Sequence, residues 1–199
     1  VSEHGFGLVV IGASTGGPPA LQSLFQNVPW DLPLAYLVAQ HMPANFTQAF
    51  AERLNRYLGL AVAEAAGGEA IVPGSVWVAP GGSNLVVEQQ AGDLVTAVRP
   101  ATSEAKFVPS IDALFSSAAQ AARERVMAIL LTGMGNDGCD GMEAVKAAGG
   151  RTLAESEETA VIFGMPREAI RAGHVQAVLR LELMSERIRV FAEIGRAHV

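Results

Sequence analysis

Three short apolar runs, at 8–11, 34–39 and 126–131, constrain this 199-residue chain more than any other feature in it. They are strand-length and continuous rather than alternating, the pattern of strands buried on both faces of a parallel sheet. Each ends in a small-residue or polar turn, and a helical pattern follows. After the first run, Leu21, Leu24, Phe25 and Val28 fall at i, i+3, i+4 and i+7, on one helix face. Pro18 and Pro19 suit the opening turn of that helix, where a missing N–H breaks no bond. After the second run, Phe46, Ala49, Phe50, Leu54, Tyr57 and Leu58 form a stripe. Asn45 is the expected N-cap there, with Gln48 at the capping-box position and Gly59 as the stop. After the third, a helix through Met142 and Val145 ends at Gly149-Gly150. Strands alternating with helices imply an α/β fold: three layers, a doubly wound and mainly parallel sheet covered on both faces.

Between 60 and 100 the texture changes. Short runs at 76–78, 85–87 and 94–98 are separated by Pro73-Gly74, Pro80-Gly81-Gly82 and Ala91-Gly92-Asp93. These turn signals predict strands that include an antiparallel hairpin, expected at the edge of the main sheet. Residues 101–108 read as a loop, and Ser110 as the cap of a helix carrying Ile111, Leu114, Phe115, Ala118, Ala119 and Ala122. Further strands are predicted at 152–154 and 175–179. A short helix opens at Pro166, and Ile188, Phe191 and Ala192 mark a closing helix.

Composition narrows the function classes. Half the residues are hydrophobic and 17% are charged, which describes a well-buried globular domain. The net charge is −6 and no basic stripe appears, so nucleic acid is not an expected partner. The apolar runs fall well short of the ~20 residues that span a bilayer, and membrane insertion is not expected. No basic segment leads into an apolar one at the start, so no signal peptide is read there. Cys139 is the only cysteine, which leaves no disulfide framework or cysteine metal cluster and fits a reducing, cytoplasmic setting. The length suits one domain, 1–199 with a core at about 7–194. The first strand begins abruptly, as expected of a domain cut from a longer polypeptide.

The turn after the first run carries the chemistry. Gly12-Ala13-Ser14-Thr15-Gly16 matches G-x-S-x-G, in which glycines permit a sharp turn that projects a serine hydroxyl beside N–H groups able to hold an oxyanion. Two other readings stay open at this point: a phosphate cradle at a helix N-terminus, or a tight βα turn without chemistry. Ser14 occupies the third position of G-x-G-x-x-G, where glycine is needed, and Pro18 stands where a P-loop needs lysine.

A nucleophilic serine needs a base, and the base an orienting group. In doubly wound sheets, ligands bind beyond the carboxyl ends of the strands, which sorts the candidates by rim. His4 and His198 lie in the tails. His41 follows a strand and shares a rim with Ser14, whereas His174 precedes one and belongs to the opposite rim. Asp31, Asp93 and Asp112 are placed elsewhere; Asp137, Asp140 and Glu155 follow strands. Topology favours Ser14, His41 and Asp137 over the order Ser14, Asp137, His174. Asp137 also reads as a cap of the helix that follows it, but the glycines around it open the backbone to a bound group.

Gly12-Ala13-Ser14-Thr15-Gly16-Gly17, Gln40-His41-Met42-Pro43, Thr132-Gly133-Met134-Gly135-Asn136-Asp137-Gly138 and Phe163-Gly164-Met165-Pro166-Arg167-Glu168-Ala169 together resemble the catalytic domain of bacterial chemotaxis methylesterases of the CheB type. The resemblance runs over about residues 7–194. It implies a protein-glutamate methylesterase that also deamidates selected glutamines, with the cytoplasmic helices of methyl-accepting chemoreceptors as substrate. By motif match Ser14 is the nucleophile, His41 the base and Asp137 its carboxylate. Thr15, Met134 and Gly135 would form the oxyanion and substrate-binding part, with the Met134 N–H as an oxyanion donor. No metal or organic cofactor is implied. The family usually carries an N-terminal phospho-accepting receiver domain over the active site, fed by a histidine kinase; no receiver domain is expected within these 199 residues. Upstream of Pro109-Ser110-Ile111-Asp112 the family typically has a basic, histidine-containing stretch, where this chain has Lys106-Phe107-Val108. An esterase of small esters and a non-catalytic signalling module are the competing readings.

Overall fold

The computed structural model describes residues 5–196. Seven strands form one parallel sheet in the order β3-β4-β2-β1-β7-β8-β9. They are β1 (Gly7–Ala13), β2 (Leu34–Gln40), β3 (Ala61–Glu64), β4 (Ser75–Val78), β7 (Val126–Leu130), β8 (Arg151–Glu155) and β9 (Ala177–Leu179). β1, β2 and β7 are the three apolar runs, and they occupy the centre. Because side chains alternate along a strand, β1 sends Val9 and Ile11 to one face and Leu8 and Val10 to the other. All are fully buried.

Helices cover both faces. α1 (Gly17–Gln26), α2 (Thr47–Tyr57) and α6 (Met184–Arg196) bury Leu21, Leu24, Phe25, Leu54 and Ile188 against the Val9/Ile11 face. α3 (Ile111–Ala122), α4 (Cys139–Ala147) and α5 (Met165–Arg171) bury Leu114, Phe115, Met142 and Met165 against the other. Each Leu or Phe so buried stabilises the packing by roughly 1.5–3 kcal/mol. Ser110 caps α3 as expected, its Oγ accepting the Ala113 N–H at 3.0 Å. Among the described residues no helix is long and apolar enough to cross a membrane.

Three details differ from the sequence expectations. The hairpin of β5 (Ser83–Gln90) and β6 (Asp93–Pro100) is antiparallel but forms a separate two-stranded sheet instead of lengthening the main one. Its Leu85, Val87 and Leu94 join the cluster under α3, and the Val87 N–H donates to Ser117 Oγ at 3.0 Å, so it rides on the helix layer. The run at 76–78 is a parallel strand inside the main sheet, and the edge beyond it belongs to β3, whose single buried residue, Val62, gave little signal. The capping box at Asn45 and Gln48 does not form. The Phe46 N–H closes a tight turn onto the Pro43 carbonyl at 3.0 Å, which puts Asn45 inside the turn, and α2 starts at Thr47.

The winding reverses at β1. The chain first builds outward through β2 to β4 and β3, then returns to lay down β7, β8 and β9 on the other flank. Loops leaving β1 and β7 therefore diverge above adjacent strands and leave a crevice at the carboxyl ends.

Candidate active site

Ser14 is the first residue past β1, and main-chain bonds fix its turn. Its N–H donates to the Thr132 carbonyl at 2.9 Å, and its carbonyl accepts the Gly17 N–H at 2.8 Å. That carbonyl also accepts from Gln40 Nε2 at 2.9 Å, and the same nitrogen donates to the His41 carbonyl at 3.1 Å. Gln40 is buried, so one side chain ties the serine turn to the histidine. A Cβ on Gly17 would lie 1.9 Å from Gln40 Oε1, so only glycine admits this amide. The motif Gln40-His41-Met42-Pro43 assigns Gln40 no role by itself; its signal in the sequence is an amide ending an otherwise apolar, fully buried strand.

The His41 N–H donates to the Ala13 carbonyl at 3.0 Å, which carries the β1–β2 register one step beyond the strands and sets His41 beside Ser14. The Asp137 carboxylate only accepts, so His41 Nε2 carries the proton and donates it to Oδ2 at 2.6 Å. The two side chains are 13% and 2% exposed. Asp137 also accepts the N–H groups of Ile111 at 2.8 Å, Asp112 at 3.0 Å and Gly138 at 3.0 Å. It is a helix cap, but of α3, across the crevice, rather than of the helix that follows it. The positive end of α3 adds to its stabilisation. Burial pushes the Asp137 carboxyl up, but the His41, Ile111 and Asp112 donors outweigh it and hold the group below its ordinary range. Asp112 moves the other way: burial drives it to about 6, with repulsion from Asp137 and Asp140 adding to that and the Gly141 N–H opposing it.

The loop after β7 closes the site. A Cβ on Gly133 would lie 2.6 Å from Ser14 Cβ, so bare backbone passes against the serine. The Gly133 N–H is taken by the Ile162 carbonyl at 3.0 Å. The Met134 and Gly135 N–H groups that follow find no protein acceptor among the described residues. The Thr15 carbonyl accepts from Thr132 Oγ1 at 2.9 Å, and Thr15 itself is exposed.

The other candidates do not reach His41. Asp140 lies in the first turn of α4. Glu155 is fully buried, accepts the Thr132 N–H at 2.8 Å and is pushed up by burial. His174 Nε2 lies 3.8 Å from Glu143 on the opposite rim. His4 and His198 lie outside the described residues.

Residues 9–188 match the family model described as CheB methylesterase. The chain belongs to the CheB methylesterase family. It is 50% identical over 182 residues to protein-glutamate methylesterase/protein-glutamine glutaminase 3 of Geobacter sulfurreducens, covering 91% of this chain and 49% of that one. It is 54% identical over 194 residues to protein-glutamate methylesterase/protein-glutamine glutaminase 6 of Anaeromyxobacter dehalogenans, covering 96% and 55%. The chain thus spans about half the length of these curated relatives. The crystal structure of the Thermotoga maritima CheB methylesterase catalytic domain superposes with a TM-score of 0.90 at 37% identity, covering 96% of this chain and 99% of that one.

In this CheB-family chain a groove of about 650 Å³ lies along the loop after β7, lined in part by Met134, Gly135, Val161, Phe163 and Arg167. Met134 and Val161 stand 65% and 68% exposed on its wall, so the groove beside the Ser14 loop has an apolar, solvent-facing side.

Proposed function

We propose that this chain is the catalytic unit, with its core at residues 7–194, of a cytoplasmic protein-glutamate methylesterase. It hydrolyses glutamyl γ-methyl esters and deamidates selected glutamines on the cytoplasmic helices of methyl-accepting chemoreceptors. The observation that carries the reading is the buried 2.6 Å His41–Asp137 pair at the strand end next to Ser14. The names of the Geobacter and Anaeromyxobacter relatives, which give both reactions, support the substrate class.

The chemistry follows from which atoms are free. With Nε2 held by Asp137, His41 Nδ1 is the nitrogen left to take a proton. Nδ1 is the ring nitrogen nearer its own main chain, and neighbouring strands lie about 4.8 Å apart, so a short reach to Ser14 suits it. Ser14 Oγ attacks the γ-carbonyl as its proton passes to Nδ1, and the oxyanion faces the unpaired Met134 and Gly135 N–H groups. The imidazolium, stabilised by Asp137, then protonates departing methanol and leaves a glutamyl-enzyme. Water repeats the cycle to release glutamate. A glutamine substrate differs only in that ammonia leaves. Thr15 and the Met134 groove hold the substrate chain, and a receiver domain or the pathway's histidine kinase is the regulatory partner.

Replacing Ser14 with alanine tests the reading. Methanol release from a methylated receptor cytoplasmic fragment is expected to fall by ~10⁴-fold or more. Near-wild-type demethylation by that variant overturns the mechanism. Turnover of p-nitrophenyl esters without any release from the receptor fragment overturns the substrate instead.

A further inference from the structure

His41 is held at one end only. The hydrogen bond from Nε2 to Asp137 fixes where that nitrogen sits but leaves the imidazole able to turn about the line from Cγ to Nε2, which changes where Nδ1 points. A second constraint is present in the loop before α3. The Phe107 ring lies on the imidazole face, with centroids 5.1 Å apart and planes within 4° of parallel. Phe107 is itself half-buried. The ring also lies against the main chain of Gly135, where a Cβ would stand 2.9 Å from Phe107 Cζ. One aromatic ring therefore rests on both the base and the loop whose N–H groups face the oxyanion.

We infer that Phe107 is a positioning residue for the reaction proposed above: it fixes the plane of His41 so that Nδ1 stays aimed at Ser14. It touches neither substrate nor the reacting atoms in this role. The parallel stack is the geometry that restricts rotation, because any turn of the imidazole about its Cγ–Nε2 line drives an edge into the Phe107 face. Misplacing a catalytic group by about 1 Å lowers rates by ~10²-fold.

The inference rests on the Ser14–His41–Asp137 reading, and the test separates the two. Phe107→Leu keeps an apolar side chain and removes the ring; Phe107→Tyr keeps the ring. With methylated receptor fragment, Phe107→Leu is expected to lower kcat by ~10–100-fold with KM within about threefold of wild type. Phe107→Tyr is expected to stay within about threefold in both. The proton between His41 Nε2 and Asp137, observed by NMR without turnover, is expected as a sharp downfield signal in wild type and Phe107→Tyr and as a broadened one in Phe107→Leu. A wild-type kcat in Phe107→Leu, a loss in Phe107→Tyr equal to that in Phe107→Leu, or an unchanged downfield signal in Phe107→Leu overturns the role of Phe107. Ser14→Ala measured alongside keeps the outcomes apart, since full turnover there overturns the proposed function whatever the Phe107 variants do.

Discussion

Two histidine–carboxylate pairs stand at opposite rims of the sheet, and they share little beyond their names. His41 and Asp137 meet at 2.6 Å with almost no solvent access. His174 and Glu143 stand 3.8 Å apart, with Glu143 64% exposed. At the first rim the acid is held by three main-chain N–H groups and by the end of α3, so it cannot turn away from the imidazole. At the second rim, Glu143 is an exposed side chain of α4, and the contact is of the kind that contributes about 0–1 kcal/mol. The difference teaches that a histidine beside an acid becomes a candidate base through what fixes the acid. The carboxyl ends of parallel strands, where loops diverge and helix N-termini converge, supply that fixing.

The largest expected effect breaks the first pair without emptying it. Asp137→Asn keeps an oxygen for the Asp112 and Gly138 N–H groups but turns an NH2 group toward His41 and the Ile111 N–H, which favours the tautomer with its proton on Nδ1. The base is then blocked, and methanol release is expected to fall by about 10⁴-fold, while the unsatisfied Ile111 N–H lowers stability by about 1–3 kcal/mol. A rate near wild type would remove Asp137 from the mechanism. Gln40→Ala comes next. It frees both the Ser14 and His41 carbonyls from their common tie, and a loss of ~10–100-fold in kcat is expected from the misplaced serine turn. An unchanged kcat would show that the main-chain bonds from Ser14 to Thr132 and from His41 to Ala13 are sufficient alone.

Much of this comparison was legible before any coordinates. Whether a residue follows or precedes a strand depends only on apolar runs and turns, and that sufficed to send His41 and His174 to different rims. The fold class followed from the same runs, because β1, β2 and β7 are buried on both faces and leave no alternation to misread. Elements with weaker burial were not legible. β3 buries one residue, so its place at the sheet edge went unread, and the hairpin was assigned to that edge although its apolar residues pack under α3. Within the site, Gln40 and Phe107 act through contacts with residues 26 and 66 positions away in the chain, and no local pattern encodes such meetings. Asp137 was read as a cap from its place before α4, but its carboxylate found the N–H groups of α3, which only the folded crevice brings near.

Holding one carboxylate ionised in the crevice loads its neighbour, and this gives a smaller, pH-dependent prediction. Asp112 is driven to about 6, first by burial and then by repulsion from Asp137 and Asp140. A carboxyl raised in the folded state binds its proton more tightly there than in the unfolded chain, so its contribution to stability falls as pH rises from about 3.9 to about 6. Asp137, held low, has the opposite sign: its contribution is present above about 3.9 and is lost as pH falls through its folded value. Asp112→Asn keeps an oxygen for the Gly141 N–H and removes the charge. At pH 7 it is expected to raise the thermal midpoint by about 2–4 °C, equivalent to roughly 1 kcal/mol after screening, and to change nothing near pH 4. A gain of equal size at both pH values would show that charge is not the cause.

The smallest expected effect tests the other side of the comparison. Glu143→Gln leaves the shape of the second rim intact and removes its ion pair. The pair is long and solvent-screened, so stability is expected to change by less than about 0.5 kcal/mol. His174 has no path to Ser14 except through the full length of the strands, so methanol release by Glu143→Gln and by His174→Gln is expected to stay within about twofold of wild type. A fall of 10²-fold or more in either variant would break the comparison at its base, because the opposite rim would then be contributing to the chemistry. The measurement is informative alongside Asp137→Asn: the same class of change, an acid turned into its amide beside a histidine, is expected to give about 10⁴-fold at one rim and nothing at the other. That contrast isolates the fixed geometry of the crevice from the mere presence of a histidine and an acid.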